Sequence, residues 1–271
     1  MRLPWIIGLT LIAAGVVSGC ATTGEGTYTP PSALSEEQEM AIGAQLSQEV
    51  EKTEKVLDDA SIQKYIGEIG DRLARVSPRQ NVEYRFTVIE KDELNAFALP
   101  GGHMYIYTGL LKLCQNEAEL ASVMGHEIAH VAAEHHGESI ARQQQLELLI
   151  AAANAALEGK PIGQAGAQII GGMATLKFSR DQEREADKLG MDVLFRAGYN
   201  PDAMVSFMSR MLEQEQSGGG SMPFALLSSH PLTQNRIVLL QQLAAQFPAD
   251  MKTQGTLGEE RYRQTVLNRF K

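Results

Sequence analysis

Apolar residues recur at helical spacing along most of the chain beyond residue 35. In the segment SEEQEMAIGAQLSQEVEK, polar residues separate apolar ones with a period near 3.6, and Ser35 with acidic residues behind it is typical of a helix start. Similar periodic segments, bounded by Gly or Pro, follow along the chain. Helices are predicted over residues 35–52, 60–77, 179–200, 201–216, 229–247 and 259–270.

Two short segments follow the period of a β-strand instead. The segment VEYRFTVIE at 82–90 alternates and contains β-branched residues, and we read HMYIYT at 103–108 as a second strand. A Pro-Gly-Gly turn at 100–102 separates this second strand from the preceding NAFAL. The pattern predicts an α+β fold that is mainly α, with a small β-sheet.

The stretch between residues 145 and 177 is rich in small and apolar residues but is broken at Gly159-Lys160-Pro161. Each half is too short to span a bilayer, which takes about 20 apolar residues. The composition fits a buried core, a mobile lid, or a surface that touches membrane or unfolded substrate, and it does not separate these. The segment SGGGSMP at 217–223 is predicted to be a mobile loop.

The first twenty residues have the pattern of a secretory signal. Arg2 is followed by an apolar run and then by small residues, and the run is too short for a convincing membrane span. The segment VSGC that ends at Cys20 resembles a bacterial lipobox, in which the cysteine is lipidated and becomes the mature N-terminus. We therefore expect a signal peptide over 1–19 and a lipidated tether over 20–34.

This tether would hold the protein on a bacterial membrane through the lipid on Cys20. In Gram-negative lipoproteins an Asp after the cysteine usually marks retention at the inner membrane. Ala21 occupies that position here. The periplasmic face of the outer membrane is therefore the favoured location.

Composition limits the remaining classes of function. The chain has 271 residues, of which 44% are hydrophobic, which is enough for one good-sized core. The formal charge is −9 and no basic run resembles a nucleic-acid footprint, so no nucleic-acid partner is expected. With Cys20 assigned to lipid, Cys114 has no partner for a disulfide, and we interpret it as a small buried hydrophobe.

The segment VMGHEIAHVAAEHHGES, residues 123–139, holds four of the six histidines. The helix that carries it is predicted to begin with Asn116 as N-cap and to stop at Gly137. His126 and His130, four residues apart, would lie on one helix face and could reach one ion. Glu127, about a quarter turn away, could act as general base. This H-E-x-x-H pattern is typical of a zinc site that activates water for attack on a carbonyl.

A catalytic zinc also needs a third ligand from the protein. The residues leave several candidates open, which are Cys114, Glu183, Glu185 and Asp187. The segment DQEREAD is the better source because Glu183 and Asp187 share a helix face at i, i+4, so that one could bind the metal while the other orients a histidine. The competing interpretation of this acidic cluster is a solvated helix surface.

The other histidines have simpler interpretations. His135 and His136 are predicted to be exposed at the C-terminal end of the motif helix, where the helix dipole favours a cation. His103 lies beside the Gly-Gly turn, where it would either line a substrate groove or occupy a surface position on the strand. No metal role is predicted for these three.

Three ordered motifs, HEIAH, EREAD and SHPLTQNR, together with NAFALPGG, resemble the CaaX-prenyl-protease/HtpX-like zinc metallopeptidases. With a lipobox and no spanning helix, the chain is most similar to the periplasmic BepA/LoiP-type branch. The resemblance covers roughly residues 35–245 and implies a zincin-like metallopeptidase domain, which we place at 35–271. The sequence lacks the C-terminal tetratricopeptide repeats of the BepA arm, so the single-domain form is the closer match.

The resemblance also implies roles for individual residues. His126, His130 and Glu183 would bind one Zn²⁺ per chain, with Asp187 behind them, and Glu127 would be the catalytic base. His230 would lie near the metal, where it either stabilises the transition state or blocks the fourth coordination position, and Arg236 would stabilise the oxyanion. The implied substrate-binding edge strand comprises Asn95, Ala96, Phe97, Ala98, Gly101 and Gly102.

These features predict a zinc metalloendopeptidase that cleaves misfolded or damaged polypeptides of the bacterial envelope. An alternative is a latent protease that acts mainly as a chaperone with the outer-membrane assembly machinery, its zinc blocked by His230. A third interpretation, a structural lipoprotein with a histidine-rich helix, predicts no zinc and no effect of changing Glu127.

Overall fold

The computed structural model describes residues 34–142, 146–173, 177–216, 226 and 229–270. The predicted signal peptide, the lipidation site Cys20, the tether up to residue 33 and the loop at 217–223 lie outside the described residues. Those predictions therefore stay predictions.

Two helices begin the described part of the chain. Helix α1 spans Glu36–Thr53, and Ser35 caps it in the predicted capping box with Gln38. Helix α2 spans Ala60–Ala74, and backbone amides of its first turn donate hydrogen bonds to the Asp59 side chain. Each buries one apolar stripe, which is the pattern expected of an amphipathic helix on a core.

A three-stranded sheet follows within the described residues. Strand β1 spans Arg85–Ile89, β2 spans Ala96–Ala98 and β3 spans His103–Tyr107. The strand order is β1-β3-β2, with β1 parallel and β2 antiparallel to the central β3. A 3-10 turn at Pro100–Gly102 joins β2 to β3, and its two glycines have positive φ angles of 76° and 89°. Strand β2 therefore lies at an edge of the sheet, as predicted.

Helix α4, Glu117–Ala132, carries the H-E-x-x-H motif and follows the short helix α3, Thr108–Leu113. Asn116 caps α4 as predicted, because its side-chain oxygen accepts a hydrogen bond from the Glu119 amide. The predicted stop at Gly137 is wrong. The helix ends at Ala132, Glu134 takes a left-handed φ of 56°, and a separate helix α5, His135–Arg142, begins at the next residue.

Helices α6, Leu146–Leu157, and α7, Gly163–Met173, are separated at the predicted Gly-Lys-Pro break. Both pack on α1. Ala152 and Ala153 of α6, Ile169 of α7 and Ile162 of the connection between them join a hydrophobic cluster with α1 and the sheet. Of the three interpretations left open for this stretch, buried core describes these residues.

The remaining helices complete the fold. Helix α8 is Arg180–Arg196, α9 is Asp202–Gln216, α10 is Gln234–Ala244, α11 is Ala249–Gln254 and α12 is Glu259–Thr265. Helix α4 packs against α2, α8, α9 and β2, and all but the last of its residues are buried. The motif helix is thus the centre of the main core, and the prediction of a mainly α, α+β fold is confirmed.

In the part of the chain that the structure describes, no helix has both the length and the apolar composition needed to cross a bilayer.

Candidate metal centre

Helices α4 and α8 approach each other closely where the motif histidines begin. A Cβ built on Gly190 would lie 3.0 Å from the His126 Cα, and one built on Gly125 would lie 3.2 Å from the Gly190 carbonyl oxygen. Glycine at both positions therefore lets the two backbones come near contact. Glu183 and Asp187, which precede Gly190 by two turns and one turn of α8, are held against the motif helix by this approach.

Four buried residues bring ligand atoms within 4.8 Å of one another, and they are His126, His130, Glu183 and His230. His126 Nε2 lies 3.1 Å from His130 Nε2 and 3.3 Å from His230 Nδ1. The Glu183 carboxylate lies 3.5 Å from His126 Nε2, 3.6 Å from His130 Nε2 and 2.9 Å from His230 Nδ1. Each of the four residues is at most 5% exposed. We call these four residues the His/Glu cluster.

The His/Glu cluster fits a tetrahedral metal ion. Ligand bonds of about 2.0–2.1 Å place the atoms of a tetrahedral zinc site roughly 3.3 Å apart. The five separations given above, from 2.9 to 3.6 Å, lie around that value, and all four ligand atoms lie within 4.8 Å of one another. Imidazole nitrogen and carboxylate oxygen are also donor types that zinc accepts. The donor set therefore suits the predicted metal.

Two charged side chains lie behind the cluster. Asp187 Oδ1 is 3.2 Å from His126 Nδ1, the ring nitrogen on the far side from the cluster, although the angle there is poor for a hydrogen bond. Arg236 donates from Nε and Nη2 to the two oxygens of Asp187, at 2.9 and 2.7 Å. Its Nη1 lies 2.6 Å from Glu183 Oε2. Arg236 thus contacts the carboxylates of both Glu183 and Asp187.

The Arg236 side chain is largely buried among these contacts, and it also lines a cleft beside Glu183. A third contact, from Nη1 to the Pro231 carbonyl oxygen, measures 3.2 Å, and the side chain is only 7% exposed. These contacts hold Glu183 and Asp187 in place. The oxyanion-stabilising role that the resemblance implied stays a prediction.

Charges in the cluster shift several pKa values. Burial would raise the pKa of Glu183, but the neighbouring His230 and His126 rings outweigh it and hold that pKa far below its usual range. Burial would lower the pKa of His126, but contacts with Asp187 and Glu183 raise it to about 9. Burial and the adjacent imidazoles lower the pKa of His130 well below its ordinary value. These shifts favour the ionised form of Glu183 and the neutral form of His130, which bind a metal, but they favour the protonated form of His126, whose proton a metal would have to displace.

Glu127 shares the buried space of the cluster and is 1% exposed. Its Oε1 lies 3.4 Å from His230 Nε2 but makes no hydrogen bond. Burial raises the pKa of Glu127, partly offset by the nearby His230 and His126 rings and by the Ala98 backbone. A buried carboxyl group with a raised pKa and a free oxygen is suited to accept and release a proton.

Space adjoins the cluster on two sides. A small apolar pocket beside Glu127 is lined by Val123, Met208, Met211, Leu226 and Leu232. An open cleft of about 510 Å³ lies on the Glu183 side, with Phe178, Arg180 and Asn235 among its lining residues. The cleft reaches Glu183 of the His/Glu cluster.

Two residues of strand β2, Ala96 and Ala98, point their backbone groups away from β3, and they are 1% and 2% exposed. The Leu99 amide donates to His103 O and the Tyr107 amide donates to Asn95 O, so residues 95, 97 and 99 pair inward with β3. The alternation of a strand then turns the backbone groups of Ala96 and Ala98 to the outer edge.

The other residues predicted for this surface lie differently. Phe97 is buried and packs its ring against Tyr105 and Tyr107. Gly101 and Gly102 lie against α1 and residues 82–84, away from the outer edge of β2.

Two candidates for the third ligand lie outside the cluster. Cys114 is buried in the main hydrophobic core, where burial raises the pKa of its thiol, in agreement with its interpretation as a small hydrophobe. The Glu185 side chain is 56% exposed and lies 3.4 Å from His135 Nε2. Residues two apart on α8 face different sides, so Glu183 and Glu185 cannot both face α4.

The prediction that His135 and His136 are exposed is wrong. They are 2% and 6% exposed, because Phe178 and the start of α8 cover α5. Burial lowers the pKa of both rings, that of His136 to about 3. His103 is half-buried on β3, where burial lowers its pKa.

One contact of the cluster was missed from the sequence. His135 Nδ1 lies 3.0 Å from His130 Nδ1. The five-residue separation of these histidines does not place them on one helix face. They meet because the chain turns at Glu134 between α4 and α5.

Comparisons with known proteins cover most of the chain. The model of peptidase family M48 matches residues 60–244. A beta-barrel assembly-enhancing protease of Escherichia coli (strain K12) is 33% identical over 214 residues, which cover 76% of this chain and 44% of that protein. The mitochondrial metalloendopeptidase OMA1 of Schizosaccharomyces pombe is 32% identical over 178 residues, 66% of this chain and 52% of that protein. The chain spans about half the length of the curated relatives it matches.

The matched range runs from the first residue of α2 to the last residue of α10. It therefore contains β2, the motif helix, α8 and all four members of the His/Glu cluster. The predicted resemblance and the predicted class of enzyme, a metallopeptidase of the H-E-x-x-H type, are both confirmed. The chain belongs to peptidase family M48.

Proposed function

We propose that this protein is a zinc-dependent endopeptidase of the bacterial envelope that hydrolyses peptide bonds in unfolded or damaged polypeptides. The observation that carries the proposal is the convergence of His126, His130 and Glu183 around one point, with the free carboxylate oxygen of Glu127 beside them.

In this proposal His126, His130 and Glu183 hold one Zn²⁺. When bound, zinc supplies Lewis acidity, which makes water acidic enough to attack at neutral pH and polarises a peptide carbonyl. Asp187 orients the His126 ring from its far side. Arg236 holds the carboxylates of Glu183 and Asp187 at a fixed separation.

Glu127 is the general base. Its Oε1 takes a proton from the attacking water and then passes that proton to the leaving amine. Burial supports this role, because a raised pKa brings the carboxyl group closer to the working pH and eases release of the proton. The same burial keeps bulk water away from the carboxylate.

An extended substrate would pair with the outer edge of β2. The backbone groups of Ala96 and Ala98 face that edge, and the Ala98 backbone also contacts Glu127. Pairing through the main chain reads few side chains and requires an unfolded segment, which suits an enzyme that acts on misfolded chains. Of the predicted substrate-binding residues, we therefore assign direct pairing to these two alanines and support to Phe97.

The proposed cellular setting rests on the sequence and on the names of its relatives. Cys20 in its lipobox supports a lipid anchor, and the composition of the first nineteen residues supports export. Relatives named as beta-barrel assembly-enhancing proteases support envelope polypeptides as substrates. We propose a protein tethered to the periplasmic face of the outer membrane.

Zinc removal tests this function directly. The purified full chain is expected to cut unfolded casein, to lose that activity on treatment with a chelator, and to regain it when zinc is added. A chain that binds zinc stoichiometrically but cuts no unfolded polypeptide would contradict the endopeptidase.

One observation favours a second function. His230 Nδ1 lies within the cluster at the same separation from His126 as a ligand would, 3.3 Å, and so could fill the fourth coordination position. A metal with four protein ligands has no place for substrate, which is the arrangement of a structural site. The protein would then be a latent protease that acts mainly as a chaperone in outer-membrane-protein assembly.

A further inference from the structure

His135 is the buried neighbour of a proposed metal ligand, and the function proposed above does not use it. Its ring is 2% exposed and stacks edge-on against the His130 ring, with ring centroids 4.9 Å apart. Its Nδ1 lies 3.0 Å from His130 Nδ1, which is within hydrogen-bond distance. Its Nε2 lies 3.4 Å from Glu185 Oε2.

The direction of these hydrogen bonds follows from the side of His130 that faces the cluster. His130 Nε2 points to His126 and Glu183, at 3.1 and 3.6 Å. A neutral imidazole carries one proton, so if Nε2 is a metal ligand, the proton is on Nδ1 and needs an acceptor. The atom in reach is His135 Nδ1.

The tautomer of His135 is then determined as well. If Nδ1 accepts from His130, the His135 proton is on Nε2 and faces the Glu185 carboxylate. Glu185 is 56% exposed, and its carboxylate oxygen can accept a hydrogen bond from this N–H group. The result is a chain of hydrogen bonds from His130 through His135 to Glu185 at the surface.

We propose that His135 is a positioning residue that fixes the ring orientation and tautomer of His130 for metal binding, an inference that rests on the proposed zinc site. Asp187 occupies the corresponding place for His126, 3.2 Å from its Nδ1. Each motif histidine thus has its own partner on the far side of the ring, a carboxylate for His126 and an imidazole for His130. Such partners orient a ligand and raise its basicity.

The test compares a substitution at His135 that keeps a hydrogen-bond acceptor with two that remove it. In His135→Asn the side-chain oxygen can take the place of Nδ1 as acceptor, whereas His135→Leu and His135→Ala have no acceptor. The dissociation constant for Zn²⁺ is measured on the full chain by competition with a chromophoric chelator. We expect zinc to bind about 10–100-fold more weakly to the Leu and Ala variants and within roughly threefold of wild type to the Asn variant.

His136 supplies the matched control. It is buried beside His135, but its ring lies 6.3 Å from the His130 ring and no hydrogen bond joins them. His136→Leu should therefore change zinc affinity by less than about threefold, which is the change we attribute to altered packing alone. Circular dichroism of each metal-free variant establishes whether it is folded. If either His135→Leu or His135→Ala does not fold, the other one serves as the variant without an acceptor.

The outcomes separate this inference from the proposed function. Wild-type affinity in folded His135→Leu or His135→Ala, or an equal loss in His136→Leu, would overturn the positioning role. Equal weakening in His135→Asn and His135→Leu would also overturn it, because the acceptor would then not matter. If the wild-type chain itself bound no zinc, the proposed function would fail first.

Discussion

The backbones of Gly190 and His126 are in near contact where α8 crosses the motif helix, since a Cβ on Gly190 would lie 3.0 Å from both the His126 Cα and the His126 amide nitrogen. This approach sets the distance between the helix that carries the two motif histidines and the helix that carries Glu183. The geometry of the proposed zinc site therefore depends on a residue that has no side chain.

Gly190→Ala is expected to separate the two helices. Overpacking a close contact costs about 1–3 kcal/mol of unfolding free energy, and moving Glu183 away from the histidines should weaken zinc binding. Gly67→Ala is the control, since no atom lies within 4 Å of a Cβ at that helical position. It should stabilise the protein by about 0.5–1 kcal/mol. Urea unfolding and zinc titration of both variants test this, and a neutral Gly190→Ala would contradict it.

Arg236→Ala is expected to destabilise the fold as well as the site. The guanidinium is buried between Glu183 and Asp187, so its removal takes away the arginine charge that neutralises two buried carboxylates. Breaking a buried ion pair in this way costs about 3–5 kcal/mol. Urea unfolding of the chelator-treated chain measures it, so that loss of zinc does not contribute.

Arg196→Ala is the control for this prediction, because Arg196 is 51% exposed and pairs with Asp192 on the surface of α8. Its removal should cost less than about 1 kcal/mol. If the two variants were equally stable and Arg236→Ala lowered only the rate of cleavage, the result would favour oxyanion stabilisation by Arg236 over a structural role in holding Glu183 and Asp187.

His136 makes stability depend on pH. Burial lowers its pKa to about 3 in the folded state, whereas an unfolded histidine titrates near 6.5. Between these values the unfolded chain binds a proton that the folded chain does not. The free energy of unfolding is therefore expected to fall as pH falls below about 6.5, by up to about 1.4 kcal/mol per pH unit from this residue.

The comparison with His136→Leu isolates this contribution. Leucine fills the buried position without titrating, and the other ionisable groups are common to both proteins. Urea unfolding at pH 7.5, 6 and 5 should show a shallower decline in the variant than in wild type. Parallel curves would show that His136 takes up no proton on unfolding.

His230→Ala distinguishes a blocked site from an open one. Because His230 Nδ1 lies 2.9 Å from Glu183 Oε1 and 3.3 Å from His126 Nε2, its removal vacates one corner of the cluster. We expect zinc to bind several-fold more weakly and casein cleavage to increase. Loss of cleavage at saturating zinc would instead assign His230 to transition-state stabilisation.

Local signals in the sequence were enough for the start of the motif helix and for the main members of the site. Asn116 caps its own helix, and the i, i+4 spacings place His126 with His130 and Glu183 with Asp187. These features depend on residues within one turn of each other, so spacing alone predicts them.

The errors concern features that distant residues determine. Arg79, from the segment between α2 and β1, donates to the Val131 carbonyl at the end of α4, where the helix stops before the predicted Gly137. The burial of His135 and His136 depends on Phe178 and α8, more than 40 residues away. No helix-end rule contains that information.

The contacts of Arg236 show the same limit. Its pairing with Asp187 spans 49 residues and was not visible in the sequence. The pairing direction of β2, which separates Ala96 and Ala98 from their neighbours, likewise required the register with β3.

Cleavage of unfolded casein by wild type and by Glu127→Gln, with both proteins loaded to equal zinc content, tests the central claim most directly. The substitution keeps the shape of the side chain and removes the base, so we expect zinc binding to persist and the cleavage rate to fall by about 10²–10⁴-fold. Equal cleavage by the two proteins would contradict Glu127 as the base of this site.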